Sequence, residues 1–294
     1  RVNFAVRVAA PLELPEVDLP MDPYALGVWL GDGTGHFAKS AQITSMDPFV
    51  IDRMCRRGGY SSRGRVYRED SQALLYSVPG LGASLSSAGV RSKGEKFIPP
   101  VFLRASFEQR LELLRGLLDT DGFIDDKGAI ELTFSTTRLA EDTEELIRTL
   151  GIKVTRKVSE AGYRDAEGGF VQCQDRHRMH FTTTLPVFTL PRRAEKLPAQ
   201  VRSTQGLLYI ESIEPVASAP GRCIQVDNDD HMYLAGRGMV PTHNTVLVQE
   251  TMISDPDRIY LEVDPSRMNS DVAMADQMAG LIKGLFDDAE AFAR

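Results

Sequence analysis

The chain has 294 residues, 42% hydrophobic and 26% charged, the length of about two domains and the balance of an ordinary globular protein. No apolar run reaches the roughly 18 residues a membrane helix needs, no leader peptide is recognisable, and Cys55, Cys173 and Cys223 are too scattered for a metal knot or disulfide framework, so a cytoplasmic protein is expected. The net charge of −7 argues against a polyanionic partner only on average: residues 245–294 hold ten acidic and four basic residues, a net of −6, which leaves −1 for the first 244.

In chain order, Asp22-Pro23 is the first clear helix start, an N-cap carboxylate followed by proline at the first helical position. The helix is expected through Tyr24–Leu30, stopping at Gly31-Asp32-Gly33. Ala41–Ser45 alternates as a strand, and Pro48–Arg57 reads as a helix. Arg53, Arg56, Arg57, Arg63, Arg65 and Arg68 fall within 16 residues, and Arg91, Lys93 and Lys96 follow. This density reads either as a solvated surface or as a strand-turn-strand ribbon punctuated by Gly58-Gly59 and Gly64. Such a ribbon could track phosphates and enter a major groove.

Ser106 to Gln109 is a capping-box pattern and opens a second helix through Leu111, Leu114, Gly116, Leu117 and Leu118 to Asp119-Thr120-Asp121-Gly122. Ile130–Ser135 alternates as a strand, Leu139–Leu150 is helical, and a second basic group contains Arg176, His177, Arg178 and His180, then Arg192, Arg193 and Lys196. Both halves close on similar fragments, Glu95-Lys96-Phe97-Ile98-Pro99 and Glu195-Lys196-Leu197-Pro198. Two copies of about 90 residues predict a pseudo-twofold domain, since a solenoid needs at least three units. Asp32 and Asp121 each sit at a helix C-terminus, where the helix dipole disfavours an anion, and misplacement in both copies points to chemistry.

These residues resemble the LAGLIDADG homing endonucleases. Leu26–Gly33 is similar to the first dodecapeptide motif, departing from it at Trp29 and Gly31, and Leu114–Gly122 is similar to the second and matches more closely. The resemblance covers residues 20–203, with repeats at 20–105 and 106–203. It implies an α+β fold, a pseudo-twofold αββαββα domain that cuts double-stranded DNA as a monomer. Asp32 and Asp121 would meet at the floor of a DNA-binding saddle and hold Mg²⁺ together with the backbone carbonyls of Gly31 and Thr120. Lys96 and Lys196 would polarise attacking waters or scissile phosphates, and Arg53, Arg56, Arg57, Arg63, Arg65, Arg68, Arg176 and Arg178 would contact DNA. A module that only recognises DNA without cutting it is the alternative.

Further along, Asp227–Asp230 is a turn signal, Met232–Leu234 a strand, Gly236 and Gly238 another turn, and Met239-Val240 lead into His243-Asn244-Thr245. An Asn amide can attack its own main-chain carbonyl, a neighbouring His can protonate the leaving amine, and a Thr hydroxyl can carry an acyl group. Residues 205–245 resemble the C-terminal splicing blocks of inteins, through Cys223, Val226, His231, Tyr233 and Leu234 and then Val240, His243 and Asn244 before Thr245. The resemblance implies that residues 204–244 are the C-terminal β part of a Hint splicing fold needing no cofactor, with Asn244 cyclising, His243 and His231 assisting and Thr245 opening the C-extein. Residues 1–19 are then expected to be the tail or linker of an N-terminal splicing half. That half lacks its initiating Cys or Ser here and would act in cis or in trans, so the chain alone would release residues 245–294 rather than splice. Residues 245–294 are expected to form an α/β extein fragment, Thr245–Glu250 fitting the continuation of a phosphate-binding loop in a P-loop ATPase. The wording of residues 1–50 and 90–125 is similar to inteins of mycobacterial replicative DNA helicases.

Overall fold

The computed structural model describes residues 4–34, 41–66, 71–91, 96–164, 169–210 and 226–243. The chain divides into two compact units, Ala10–Arg202 and a second one made from the residues on either side of it. Strand β1 (Ala5–Arg7) belongs to the flanking unit.

In the Ala10–Arg202 unit, α1 (Pro23–Asp32) starts as expected, with Asp22 Oδ1 accepting from the Ala25 N–H at 2.9 Å and Pro23 in the first turn. Every residue from Pro23 to Leu30 is buried, so α1 is a core helix with no solvent face. It ends within Gly31-Asp32-Gly33, as expected. The helix runs on through Asp32, and Gly33 then caps it by donating to the Trp29 carbonyl at 2.9 Å. After it come β2 (Ala41–Ser45), α2 (Pro48–Gly58), β3 (Arg63–Val66), β4 (Leu74–Val78) and α3 (Leu81–Ser87). The glycines expected to turn a ribbon instead end α2, Gly59 taking the left-handed conformation at φ 68°.

A short α4 (Pro100–Leu103) leads to α5 (Phe107–Asp121), whose capping box is complete in both directions between Ser106 and Gln109. Next are β5 (Phe123–Ile124), β6 (Ile130–Phe134), α6 (Thr137–Thr149), β7 (Val154–Ser159), the hairpin β8 (Gly162–Arg164) and β9 (Phe170–Gln172), β10 (Arg176–Phe181) and α7 (Pro191–Ala194).

The two repeats share one topology. The first sheet has the order β2-β4-β3 and the second β5-β6-β10-β7, all pairs antiparallel. A bridge from Gly33 to Ile43 stands where β5 flanks β6. The inner faces supply one continuous core, in which Ile43 and Val78 of the first sheet join Ile130, Leu132, Met179 and Phe181 of the second around the apolar sides of α1 and α5. The fold is mixed α+β.

Residues 10–19, expected as a linker, are strapped onto this unit. Leu12 N–H donates to Thr149 O at 2.9 Å, and Gln109 both donates to and accepts from the Val17 backbone. The fully buried Arg110 guanidinium donates to the carbonyls of Ala105, Thr149 and Leu12, so each of its three nitrogens has a partner.

In the flanking unit, β1 pairs antiparallel with β11 (Leu207–Tyr209), Ala5 opposite Tyr209. A separate hairpin joins β12 (Met232–Ala235) to β13 (Val240–His243). Among the described residues no helix is long and apolar enough to cross a membrane.

Candidate active site at the paired helix ends

Helices α1 and α5 approach each other backbone to backbone. A Cβ built on Gly27 would lie 2.3 Å from the Leu113 carbonyl oxygen, and one on Gly116 would lie 2.3 Å from that of Tyr24. Only glycine permits so close an approach. The closeness persists to the helix ends, where a Gly31 Cβ would stand 2.0 Å from Thr120 Oγ1 and 3.4 Å from Asp121 Oδ2. The Asp121 carboxylate therefore reaches across onto the end of α1, beside Asp32.

Two carboxylates at negative helix ends resist ionisation. Burial and then the Asp121 charge push the Asp32 carboxyl up from 3.8 to about 6. Asp121 is raised too, mainly by burial, although one edge of it is open to solvent. Two cations offset this. Lys96 Nζ donates to the carbonyls of Leu30 and Gly31, both at 2.9 Å, and so caps α1 with a positive charge. Its stem lies over Trp29, with Nζ 5.3 Å from the ring centre, and burial lowers its pKa to about 8 against the opposing pull of Asp121 and Asp32.

The matching place on α5 is taken by Arg193, not by Lys196. Arg193 Nη1 donates to the carbonyls of Leu118 and Asp119, the latter at 3.1 Å, and its charge lowers the pKa of both Asp32 and Asp121. Lys196 lies elsewhere, its Nζ paired with the exposed Asp126 at 2.7 Å. The pairing of Lys96 with Lys196 expected from the two similar fragments is thus corrected to Lys96 with Arg193. The basic run Arg192-Arg193 was the available signal, and string matching between the repeats passed over it.

Asp119, the other motif carboxylate, is structural. It accepts from Tyr24 Oη at 2.9 Å, from the Thr189 N–H at 3.0 Å and from the Thr189 hydroxyl, tying α1, α5 and the approach to α7 together.

For a divalent metal, Asp32 and Asp121 offer hard oxygen ligands whose joint ionisation calls for a counter-cation, which fits a hard divalent ion. Among the described residues no group of three or more His, Cys, Asp or Glu could form an all-protein cage. The Gly31 carbonyl, expected as a ligand, already accepts from Lys96. Thr120 turns its hydroxyl back onto the carbonyls of Gly116 and Leu117.

The arginines separate into two groups. Arg53 turns inward, bidentate on Glu112 at 3.1 and 3.0 Å and over the Tyr24 ring. Arg57 pairs with Asp22 at 3.0 Å and with Glu112 at 3.5 Å, and Arg115 closes the network on Glu112 at 2.7 Å. Arg53 and Arg57 therefore brace α2 against α5; Arg53 faces inward, and Arg57 makes its pairs from the surface. Arg56 remains on the surface beside Asp52. Arg63 and Arg65 are exposed and alternate with Gly64 on β3, and Arg176 and Arg178 lie on the outer face of β10, whose alternate residues His177, Met179 and Phe181 are buried. Arg68 lies outside the described residues.

In the hairpin of the flanking unit, Met232 stands opposite His243. His231, at φ 52°, precedes this pair, its Nδ1 3.1 Å from the Val226 carbonyl. Asn244, Thr245 and residues 246–294 lie outside the described residues.

Comparison with known proteins shows what the chain is similar to. The LAGLIDADG-like domain model matches residues 108–176, the α5 repeat up to the start of β10. The replicative DNA helicase DnaB of Mycobacterium intracellulare is 37% identical over 251 residues, 84% of this chain and 39% of the relative. That of Mycobacterium leprae (strain TN) is 48% identical over 64 residues, 22% of this chain and 10% of the relative. The chain thus spans well under half the length of the relatives it matches. Solved structures similar to it include I-DmoI in complex with DNA and Ca, at 11% identity and TM-score 0.39 over 60% of this chain and 95% of that one. The I-DmoI complex with DNA and Mn is similar at 12% identity and TM-score 0.36, over 55% of this chain and 89% of that one. The family match and the helicase relative fit an intein in a DnaB-like gene.

Proposed function

We propose that the Ala10–Arg202 unit is a metal-dependent endonuclease that cuts double-stranded DNA at the intein-free form of its host gene. The observation that carries this reading is the meeting of Asp32 and Asp121 at two glycine-packed helix ends, each end capped by a cation. A divalent ion, Mg²⁺ by the hardness of the ligands, would be held by Asp32 and Asp121 and would supply charge neutralisation and an activated water. The chain supplies the rest. Asp32 and Asp121 hold the ion, while Lys96 and Arg193 keep the helix ends in place and present positive charge to the scissile phosphates. The outer faces of the two sheets, with Arg63 and Arg65 on one and Arg176 and Arg178 on the other, lie against the duplex. A plasmid carrying the uninterrupted helicase-gene junction, incubated with the protein and Mg²⁺, tests the reading. Linear product that disappears in Asp32→Asn and Asp121→Asn supports it, tight binding without cutting reduces the unit to a recognition module, and no site-selective binding sinks both.

The flanking unit supports a second activity, self-cleavage at Asn244 as part of protein splicing. Two observations favour it: β1 and β11 join the residues before and after the inserted unit in one sheet, and the β12–β13 register places His231 and His243 at the same end of the hairpin. Thr245 then opens the extein. Intact-mass measurement of the purified chain should show loss of residues 245–294, and equal loss from Asn244→Ala would refute cyclisation.

A further inference from the structure

The outer face of the second sheet carries one carboxylate, Glu131, in the middle of its basic residues. Arg178 Nε lies 3.1 Å from Glu131 Oε1, His180 Nε2 lies 3.5 Å from Oε2, and the Thr133 hydroxyl donates to Oε1 at 3.4 Å. All four residues share that face, since Thr133 is opposite Arg178 and Glu131 is opposite His180 in the β6–β10 register. A carboxylate held here repels phosphate and cancels the charge of the arginine beside it, so phosphate anchoring is a poor account of the cluster.

The exposure of Arg178 is uneven. Its Nε is buried, while 43% of the side chain remains exposed. Glu131 lies beside Nε as an ion pair, without accepting a hydrogen bond from it, and neither Nη of Arg178 has a partner among the described residues. A charge-compensated guanidinium with its Nη donors unpaired matches the O6 and N7 acceptors of guanine in the major groove.

We propose that Arg178, positioned by Glu131, reads a guanine in the half of the DNA target that lies against the second sheet. The assignment rests on the endonuclease reading of this unit. Glu131 acts through Arg178 and is a positioning residue.

The test is a selection of randomised DNA duplexes by the full-length chain in Ca²⁺, with sequencing of the bound pool, run on wild type, Arg178→Ala, Arg178→Lys and Glu131→Gln. Wild type should enrich one position strongly for G·C. Arg178→Ala should lose that preference, on the order of 10- to 100-fold, and keep the preferences at other positions. Arg178→Lys, which keeps the charge but not the fork, should relax the same position, and Glu131→Gln should relax it partially. A circular-dichroism melt of each variant confirms folding, and Arg178→Lys serves as the test if Arg178→Ala unfolds. If the variants keep every base preference and lose affinity uniformly with a shallower salt dependence, Arg178 is a phosphate contact and the proposal is wrong. A wild-type pool with no enriched sequence would instead sink the DNA reading itself, and the guanine assignment with it.

Discussion

Gly27 and Gly116 face each other so closely that a Cβ built on either would come within 2.9 Å of the Cα of the other. The nearest obstacles to a side chain are backbone atoms, which cannot swing aside as a rotamer can. Gly27→Ala and Gly116→Ala should each force α1 and α5 apart, destabilising the Ala10–Arg202 unit by roughly 3 kcal/mol or more. Chemical denaturation followed by circular dichroism measures this. A fully stable Gly116→Ala protein would show that the helices are not in direct backbone contact.

The raised Asp32 carboxyl sets a pH dependence. Its folded value of about 6 exceeds the ordinary 3.8, so between those values the folded protein holds a proton that the unfolded chain has released. Stability therefore falls as pH rises through that window, and the whole deficit, about 3 kcal/mol, persists at neutral pH. Asp32→Asn in metal-free buffer should raise the melting temperature at pH 7 and leave it unchanged near pH 3.5, while abolishing cleavage. Mg²⁺ should narrow the gap by stabilising only the wild type. A melting temperature that drops at pH 7 in the Asn variant would contradict the electrostatic account.

Arg193 and Lys196 are three residues apart and should behave differently. Arg193→Ala removes the cation from the end of α5 and from both carboxylates, and cleavage should fall by 10²-fold or so, the scale of a lost electrostatic stabiliser. Lys196→Ala removes only a surface pair with Asp126 and should cleave at the wild-type rate. Initial rates on a supercoiled plasmid decide between them, and the reverse order would restore Lys196 to the site.

Glu112 anchors three arginines, Arg53, Arg57 and Arg115, within the α1–α2–α5 brace. Glu112→Ala leaves Arg53 and Arg115 partly buried without a counter-charge, while Arg57 keeps Asp22, and should cost about 3 kcal/mol. Arg56→Ala, on the exposed side of α2, should be nearly silent. If Arg53→Ala weakens DNA binding with no loss of stability, the inward assignment of this residue fails.

Local signals in the sequence were reliable wherever the physics is local. The Asp22 cap, the Ser106–Gln109 capping box, the strand Ala41–Ser45 and the apolar pattern of α5 all form where their residues indicate. What escaped depends on partners distant in sequence. An arginine on an amphipathic helix looks solvated until Glu112, 59 residues beyond Arg53, is folded against it. The repeat suggested Lys196 as the mate of Lys96, but α7 brings Arg193 to the carbonyls instead, a shift of three residues that string comparison cannot register. Residues 10–19 have no helical or strand period and read as linker, yet their backbone groups are taken up by Gln109 and Arg110.

The pairing of Ala5 with Tyr209 also bears on how the chain folds. Closing a random coil of roughly 200 residues would cost about 5 kcal/mol in chain entropy, more than a three-residue ladder returns. If the intervening residues are already folded, most of that entropy has been lost before β1 meets β11. Kinetically, the flanking unit should thus be the last part of the chain to form, waiting on the unit it encloses.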